Sequence, residues 1–158
     1  MAGRRSVSVV ALVVLVACSL LVSTAVAKRD DKSTRATSQA IVKTAPSRLG
    51  RILVDGQGRT LYLWTSDPAN RSSCTSDFGC PIYWPPLLTA GKPRAGSGVN
   101  AHLLGTIHRT KPAGVQVTYN GHPLYYDAAD TSPGDIKGQG QINEWYVVSP
   151  TGTPIKKK

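Results

Sequence analysis

The sequence predicts an all-β fold, a compact antiparallel domain of about six or seven short strands with little helix outside an N-terminal apolar segment. The first observation is turn chemistry: Asp55-Gly56 and Asn120-Gly121 separate β-branched or aromatic segments, and glycine accepts the positive φ of a tight hairpin turn. The second is that helical periodicity extends over no more than one or two turns, around residues 100–104. With 15 Gly and 11 Pro in 158 residues, the chain is rich in turns and unlike a coiled coil.

Each predicted strand is a short run of β-branched, aromatic or leucine residues that ends at a turn signal. Along the chain these runs are residues 50–54, 59–64, 102–109, 115–119, 123–126 and 144–148. We therefore expect the folded domain to cover residues 47–150.

An internal repeat is the third observation. Residues 58–67 match residues 121–130, with Gly, Leu-Tyr and a final Asp at equivalent positions, and Trp84 and Trp145 follow at similar distances. The repeats cover about residues 49–88 and 113–150. Because each copy alone would leave an apolar sheet face bare, we expect the two to pack together as one domain.

The N-terminus predicts export. Residues 1–27 combine Arg4 and Arg5, an apolar run and small residues at Ala25 and Ala27, the pattern of a cleaved secretory signal peptide. A retained membrane anchor is an alternative, and so is lipidation at Cys18, because Leu15-Val-Ala-Cys18 is similar to a bacterial lipobox. A cleaved signal peptide, a retained anchor and a lipidated Cys18 all place the protein outside the cytoplasm, secreted or at the cell surface.

The ends of the chain carry most of its formal charge of +10. Residues 28–46 are polar, basic and without periodicity, which predicts a flexible tether, and residues 151–158 predict a basic tail. Residues 46–155 hold nine Lys or Arg against seven Asp or Glu, too small an excess to predict a nucleic-acid partner. Basic ends on an exported protein instead suit an anionic cell-wall polymer or a membrane surface.

Cys74 and Cys80 remain after removal of the signal peptide, and outside the cytoplasm two nearby thiols most often form a disulfide. A zinc site would need further ligands, and His102, His108 and His122 lack metal-binding spacing. We expect neither a metal nor a cofactor. No nucleophile motif is present, so we expect a protein that is not an enzyme.

Tyr62, Trp64 and Asp67 in the first copy, with Tyr125 and Asp130 in the second, are the candidate site residues. Tyr62 and Trp64 should share one strand face, since side chains alternate. In one interpretation the tyrosines pack between sheets while the aspartates bond turn amides. In the other, both aspartates line a groove that binds a metal, a haem or a glycan.

These motifs resemble a bacterial family of secreted repeats and predicted lipoproteins. Tyr62-Leu-Trp64-Thr-Ser-Asp67 matches its Tyr-x-(Phe/Trp/Tyr)-x-x-Asp signature, and Trp84-Pro-Pro-Leu and Tyr119-Asn-Gly-His-Pro-Leu-Tyr-Tyr are also similar to it. One departure is Asp127, which stands where the second copy usually has an aromatic residue. The resemblance implies an exported envelope protein, and it implies no established activity.

Overall fold

The structure, a computed structural model, describes residues 38–157. Its eight strands are β1 (Ile41–Ser47), β2 (Gly50–Asp55), β3 (Tyr62–Trp64), β4 (Arg94–Ala95), β5 (Leu104–Thr110), β6 (Ala113–Tyr119), β7 (His122–Pro123) and β8 (Trp145–Val147). Within residues 38–157, helix is limited to α1 (Cys80–Tyr83) and to the 3-10 turns Ser76–Phe78, Ala101–Leu103 and Gln141–Asn143. The predicted all-β class is confirmed. The signal peptide, Cys18 and residues 28–37 of the predicted tether lie outside the described residues.

The strands form three small sheets, in the orders β2-β1-β4, β3-β8 and β5-β6-β7. Two of these sheets are built on equivalent antiparallel hairpins, in which Ser47 pairs with Gly50 and Thr110 pairs with Ala113. The number of strands exceeds the expected six or seven. The additional short strand β4 has two residues, both exposed, so it leaves no apolar pattern in the sequence.

The two repeats are interleaved through their backbones. Tyr62 and Tyr125 each donate a backbone N–H to the other's carbonyl, both at 2.9 Å. Strand β3 of the first repeat pairs with β8 of the second, and Tyr125 of the second bridges to Pro86 of the first. Each tyrosine segment therefore pairs with the tryptophan-led segment of the other repeat.

Side-chain alternation in β3 divides the interior into two apolar clusters. Leu61 and Leu63 belong to the first cluster, whereas Tyr62 is in the second, with Trp64 packed against it. Tyr62 and Trp64 thus share a face, as the alternation predicts. The second cluster also contains Trp84, Tyr125 and Trp145, so the repeated aromatic residues of both copies meet in one place.

The domain begins earlier than the sequence indicates. Residues 41–46, predicted as part of the tether, lie in β1, where Val42 is fully buried. The expectation of a flexible segment up to residue 46 is wrong there. Strand β1 has few large apolar residues and includes Pro46, so its strand character depends on pairing with β2 rather than on its own pattern.

The end of the domain is also later than predicted. Ile155 donates its backbone N–H to the Val147 carbonyl at 3.0 Å and packs on the second cluster. The side-chain amide of Gln139 donates to the carbonyls of Ile155 and Lys157, at 2.6 and 2.8 Å. The described part of the predicted tail, residues 151–157, therefore lies on the domain, with Lys156 and Lys157 exposed.

Candidate functional site

The tyrosines and aspartates of the two motifs form reciprocal pairs between the repeats. The Tyr62 hydroxyl donates to Oδ2 of Asp130 at 2.7 Å, and the Tyr125 hydroxyl donates to Oδ2 of Asp67 at 2.5 Å. Neither tyrosine bonds the aspartate of its own motif. We call these contacts the reciprocal Tyr–Asp pairs.

The second oxygen of each aspartate holds a loop. Oδ1 of Asp67 accepts from the Ser73 amide at 2.7 Å, and Oδ1 of Asp130 accepts from the Lys137 amide at 2.9 Å. Because both carboxylates have the same two kinds of partner, a tyrosine across the repeat boundary and an amide in the following loop, they perform equivalent tasks in the two copies. This geometry matches the interpretation in which the aspartates bond turn amides.

Burial governs the ionisation of these groups. It raises the pKa of Tyr62 and of Tyr125 well above the ordinary value, and the neighbouring aspartates add to the increase. Burial also raises the pKa of Asp67 and of Asp130, while the hydrogen bonds from the tyrosines oppose that shift. The tyrosine hydroxyls therefore keep their protons and act as donors at neutral pH.

Three tryptophans stack beside these pairs. Trp84 and Trp145 lie parallel, with ring centroids 3.8 Å apart, and Trp64 stacks on Trp145 at 5.2 Å. Tyr62 meets Trp84 edge-on at 5.5 Å, and Tyr125 meets Trp145 in the same way at 5.2 Å. The approximate twofold relation of the repeats thus extends to their aromatic side chains.

The aromatic side chains of the two repeats stop being equivalent at Asp127, the residue that departs from the family signature. Trp64 covers Trp145, but the equivalent position beside Trp84 holds Asp127, which is buried and accepts from the Ala129 amide at 2.9 Å. Gly138 completes the contact: a Cβ there would lie 2.7 Å from the Trp84 ring and 2.9 Å from Oδ2 of Asp127. The backbone of Gly138 approaches Trp84 closely where a fourth aromatic ring would otherwise stack, and this approach requires glycine.

A buried arginine, Arg109, lies next to the Tyr125–Asp67 pair, and no sequence pattern predicts it. Nη1 of Arg109 donates to Ser72 Oγ at 2.5 Å and to Gln116 Oε1 at 2.6 Å. The hydroxyls of Ser72 and Tyr125 are 2.6 Å apart, so Arg109 is connected to Asp67 through two hydroxyl groups. An arginine among the polar residues of β5 gives no sequence signal of burial.

The cysteine prediction is confirmed, because Cys74 and Cys80 form a disulfide. Of the histidines, His102 and His108 are exposed and His122 is half-buried. Across residues 38–157, no group of three or more His, Cys, Asp and Glu side chains is arranged to hold a metal ion. No helix in this part of the chain is long and apolar enough to span a membrane.

The fold and the paired motifs define a class of protein, a two-repeat β domain whose repeats exchange both strand pairing and side-chain hydrogen bonds. Comparison with protein families gives a match to a secreted repeat of unknown function over residues 43–88 and 107–149. The two segments together exceed half of the chain, and the protein belongs to this family. Neither the search of curated proteins nor the search of solved structures found a match.

Both matched segments begin before the repeats predicted at about residues 49 and 113. The additional residues lie in β1 and β5, the first strands of the two equivalent hairpins. The resemblance seen in the sequence is confirmed. The family's description as secreted also agrees with the predicted extracytoplasmic location, whereas lipidation at Cys18 stays a prediction.

Proposed function

We propose that this protein is a non-enzymatic binding module of the cell envelope, held by electrostatic attraction to anionic groups on a wall polymer or membrane surface. The observation that carries this proposal is the separation of charge between interior and surface. Among residues 38–157, twelve Lys and Arg accompany seven Asp and Glu. Three of those carboxylates are buried (Asp55, Asp67 and Asp127), but Arg109 is the one buried cation in this range.

The buried carboxylates are committed to internal contacts. Asp55 accepts from the amides of Gln57 and Arg59, each at 2.9 Å, and from the Tyr126 hydroxyl at 2.9 Å. Acidic side chains therefore hold loops inside the domain while the basic ones reach solvent. The outer surface is consequently more positive than the formal charge indicates, which favours anionic partners.

The reciprocal Tyr–Asp pairs support a structural use of the motif. A ligand bound at Asp67 or Asp130 would have to displace a tyrosine hydroxyl and a loop amide that the carboxylate already accepts from. Metal, haem or glycan binding at this face would therefore disrupt the contact between the repeats.

Co-sedimentation of the processed protein with anionic and with zwitterionic vesicles, and with anionic wall polymer, tests the proposed attraction. We expect binding to the anionic materials at low salt and its loss near 1 M salt, where the screening length falls to about 3 Å. Replacing Lys156 and Lys157 by Gln should weaken binding by about fivefold per lysine. The Lys156→Arg/Lys157→Arg variant keeps both charges and should bind normally; equal binding to zwitterionic vesicles would contradict the proposal.

Asp67→Asn separates the structural use of the motif from a ligand site. Since the change weakens a buried charge-assisted hydrogen bond, we expect the free energy of unfolding to fall by about 2 kcal/mol in urea denaturation. The folded fraction should still bind anionic vesicles. Unchanged stability together with lost binding would instead favour a ligand site at the Tyr–Asp face.

A further inference from the structure

A basic cleft lies between the loop after Asp67 and the end of strand β5. Its volume is about 120 Å³, several times the roughly 10–15 Å³ that one water molecule needs. The lining residues are Asn70, Arg71, Ser72, Thr75, Ile107, His108, Arg109, Thr110 and Lys111. Three carry a positive charge, one is a histidine, and none is a carboxylate.

Arg109 is the buried wall of this cleft, with 8% of its surface exposed. Its guanidinium donates to neutral oxygens: Ser72 Oγ, Gln116 Oε1 and the backbone carbonyls of Cys74 and Lys111. No carboxylate among the described residues forms a salt bridge with it, and its Nε is buried without a hydrogen-bond partner. Asp67 is connected to it through the Ser72 and Tyr125 hydroxyls.

A buried cation without a direct counter-ion is costly, and an anion placed beside it would reduce that cost. Arg71 and Lys111 are exposed at the same cleft and can extend toward such an anion. Lys111 also pairs with Asp77 at 2.9 Å, but both side chains are more than half exposed, so this surface contact is weak.

The first repeat differs at the outer edge of its hairpin. Strand β1 is covered on its outer side by β4, which pairs with Ile41 and Val42, and beyond β4 the Thr44 amide donates to the Ser97 carbonyl at 2.9 Å. Strand β5 pairs with β6 and has no second partner strand among residues 38–157. The outer edge of β5, unlike that of β1, is therefore left without a partner strand, and residues 107–111 at the end of β5 line the cleft.

We propose that this cleft binds a phosphate-type oxyanion, between Arg71 and Lys111 at its mouth and Arg109 at its wall. The inference deepens the proposed function, because it assigns one discrete site to the anionic group of an envelope polymer or headgroup. Arg71 suits this ligand, since a planar guanidinium donates parallel hydrogen bonds to phosphate oxygens. In Arg109 both Nη groups already donate within the protein, and Nε is the nitrogen without a partner.

Titration of the processed protein with inorganic phosphate, followed by amide NMR shifts and calorimetry, tests the site. We expect saturable binding with shifts confined to residues 70–75 and 107–111. The Arg71→Gln/Lys111→Gln variant removes two exposed charges without touching the buried arginine, and it should weaken phosphate binding by about tenfold. Arg48→Gln is the matched control: Arg48 lies in the equivalent hairpin turn of the first repeat, is exposed, and should leave binding within about twofold.

The absence of saturable phosphate binding, shifts centred elsewhere, or equal losses in the cleft and control variants would overturn the assignment. Competition experiments with soluble poly(glycerol phosphate) and with phosphatidylglycerol vesicles distinguish the two sources of phosphate. Competition with inorganic phosphate by either material supports the assigned site. If the protein binds the envelope materials in a salt-sensitive way but does not bind phosphate, the phosphate site is wrong and the proposed function stands. If it binds phosphate but not the envelope materials, the proposed function is wrong and the phosphate site stands.

Discussion

Tyr62 and Tyr125 each serve the structure in three ways. Their backbones pair with each other, their rings meet Trp84 and Trp145 edge-on, and their hydroxyls donate to the aspartate of the other repeat. A phenol suits this position because one side chain supplies both buried apolar area and a hydrogen-bond donor. At the residue scale, the repeated Tyr and Asp positions are explained by contacts across the repeat boundary.

The tyrosine pKa values predict alkaline unfolding. Burial raises the pKa of Tyr62, Tyr125 and Tyr126 in the folded protein above the value near 10 of an unfolded chain. Their contribution to stability is therefore fully present below pH 10 and is lost as the pH rises above it, because only the unfolded state releases these protons easily.

Absorbance at 295 nm and circular dichroism, recorded together from pH 8 to 13, check this prediction. The phenols of Tyr62, Tyr125 and Tyr126 should ionise together with unfolding. Reversible ionisation of these three tyrosines in a folded protein would contradict the expected coupling.

At the scale of elements, the segment around the disulfide differs from the rest of the domain. The turn Ser76–Phe78 and helix α1 bury none of their side chains, and Phe78, Ile82 and Tyr83 are strongly exposed. Packing therefore contributes little to the order of this segment. The Cys74–Cys80 bond connects it to the core, where Cys74 is fully buried.

Removal of this disulfide should destabilise the protein. On the chain-entropy estimate, closure of so short a loop contributes about 2 kcal/mol, and we expect Cys80→Ala to lower the free energy of unfolding by about that amount in urea denaturation. Reduction of the wild-type protein should produce a similar loss. Ser76→Ala, an exposed change within the same loop, is the control and should have little effect; an equal loss there would point to packing instead.

At the scale of the whole molecule, the two repeats form one folding unit. Strand β3 pairs with β8, and the second apolar cluster takes Tyr62 and Trp84 from one repeat and Tyr125 and Trp145 from the other. A single copy would separate Trp84 from Trp145 and would leave Asp67 and Asp130 without their tyrosine donors. Such a loss costs more than one short hairpin can offset.

Separate expression of residues 38–98 and 99–157 tests this interdependence. We expect each fragment alone to lack the near-ultraviolet circular dichroism of the stacked tryptophans and to unfold without cooperativity. An equimolar mixture should recover the signal in a concentration-dependent way. Cooperative folding of either fragment by itself would show that the repeats are independent.

The order of amino acids is sufficient to predict the all-β class, the two copies, the Cys74–Cys80 pair and the family. These features depend on local turn chemistry, on alternation and on motifs that are contiguous in the chain. The shared face of Tyr62 and Trp64 follows from alternation alone. The sequence also marked all four members of the Tyr–Asp pairs, because they recur at equivalent positions.

The pairing of each tyrosine with an aspartate is visible in the folded chain and not in the motifs. The choice depends on the reciprocal backbone contact of Tyr62 with Tyr125, which joins positions far apart in the chain. The same long-range packing brings residues 41–46 into β1, holds Ile155 on the core and buries Arg109. Burial is a property of neighbours rather than of a residue type, so an arginine among polar residues became the wall of a cleft only when the chain had folded.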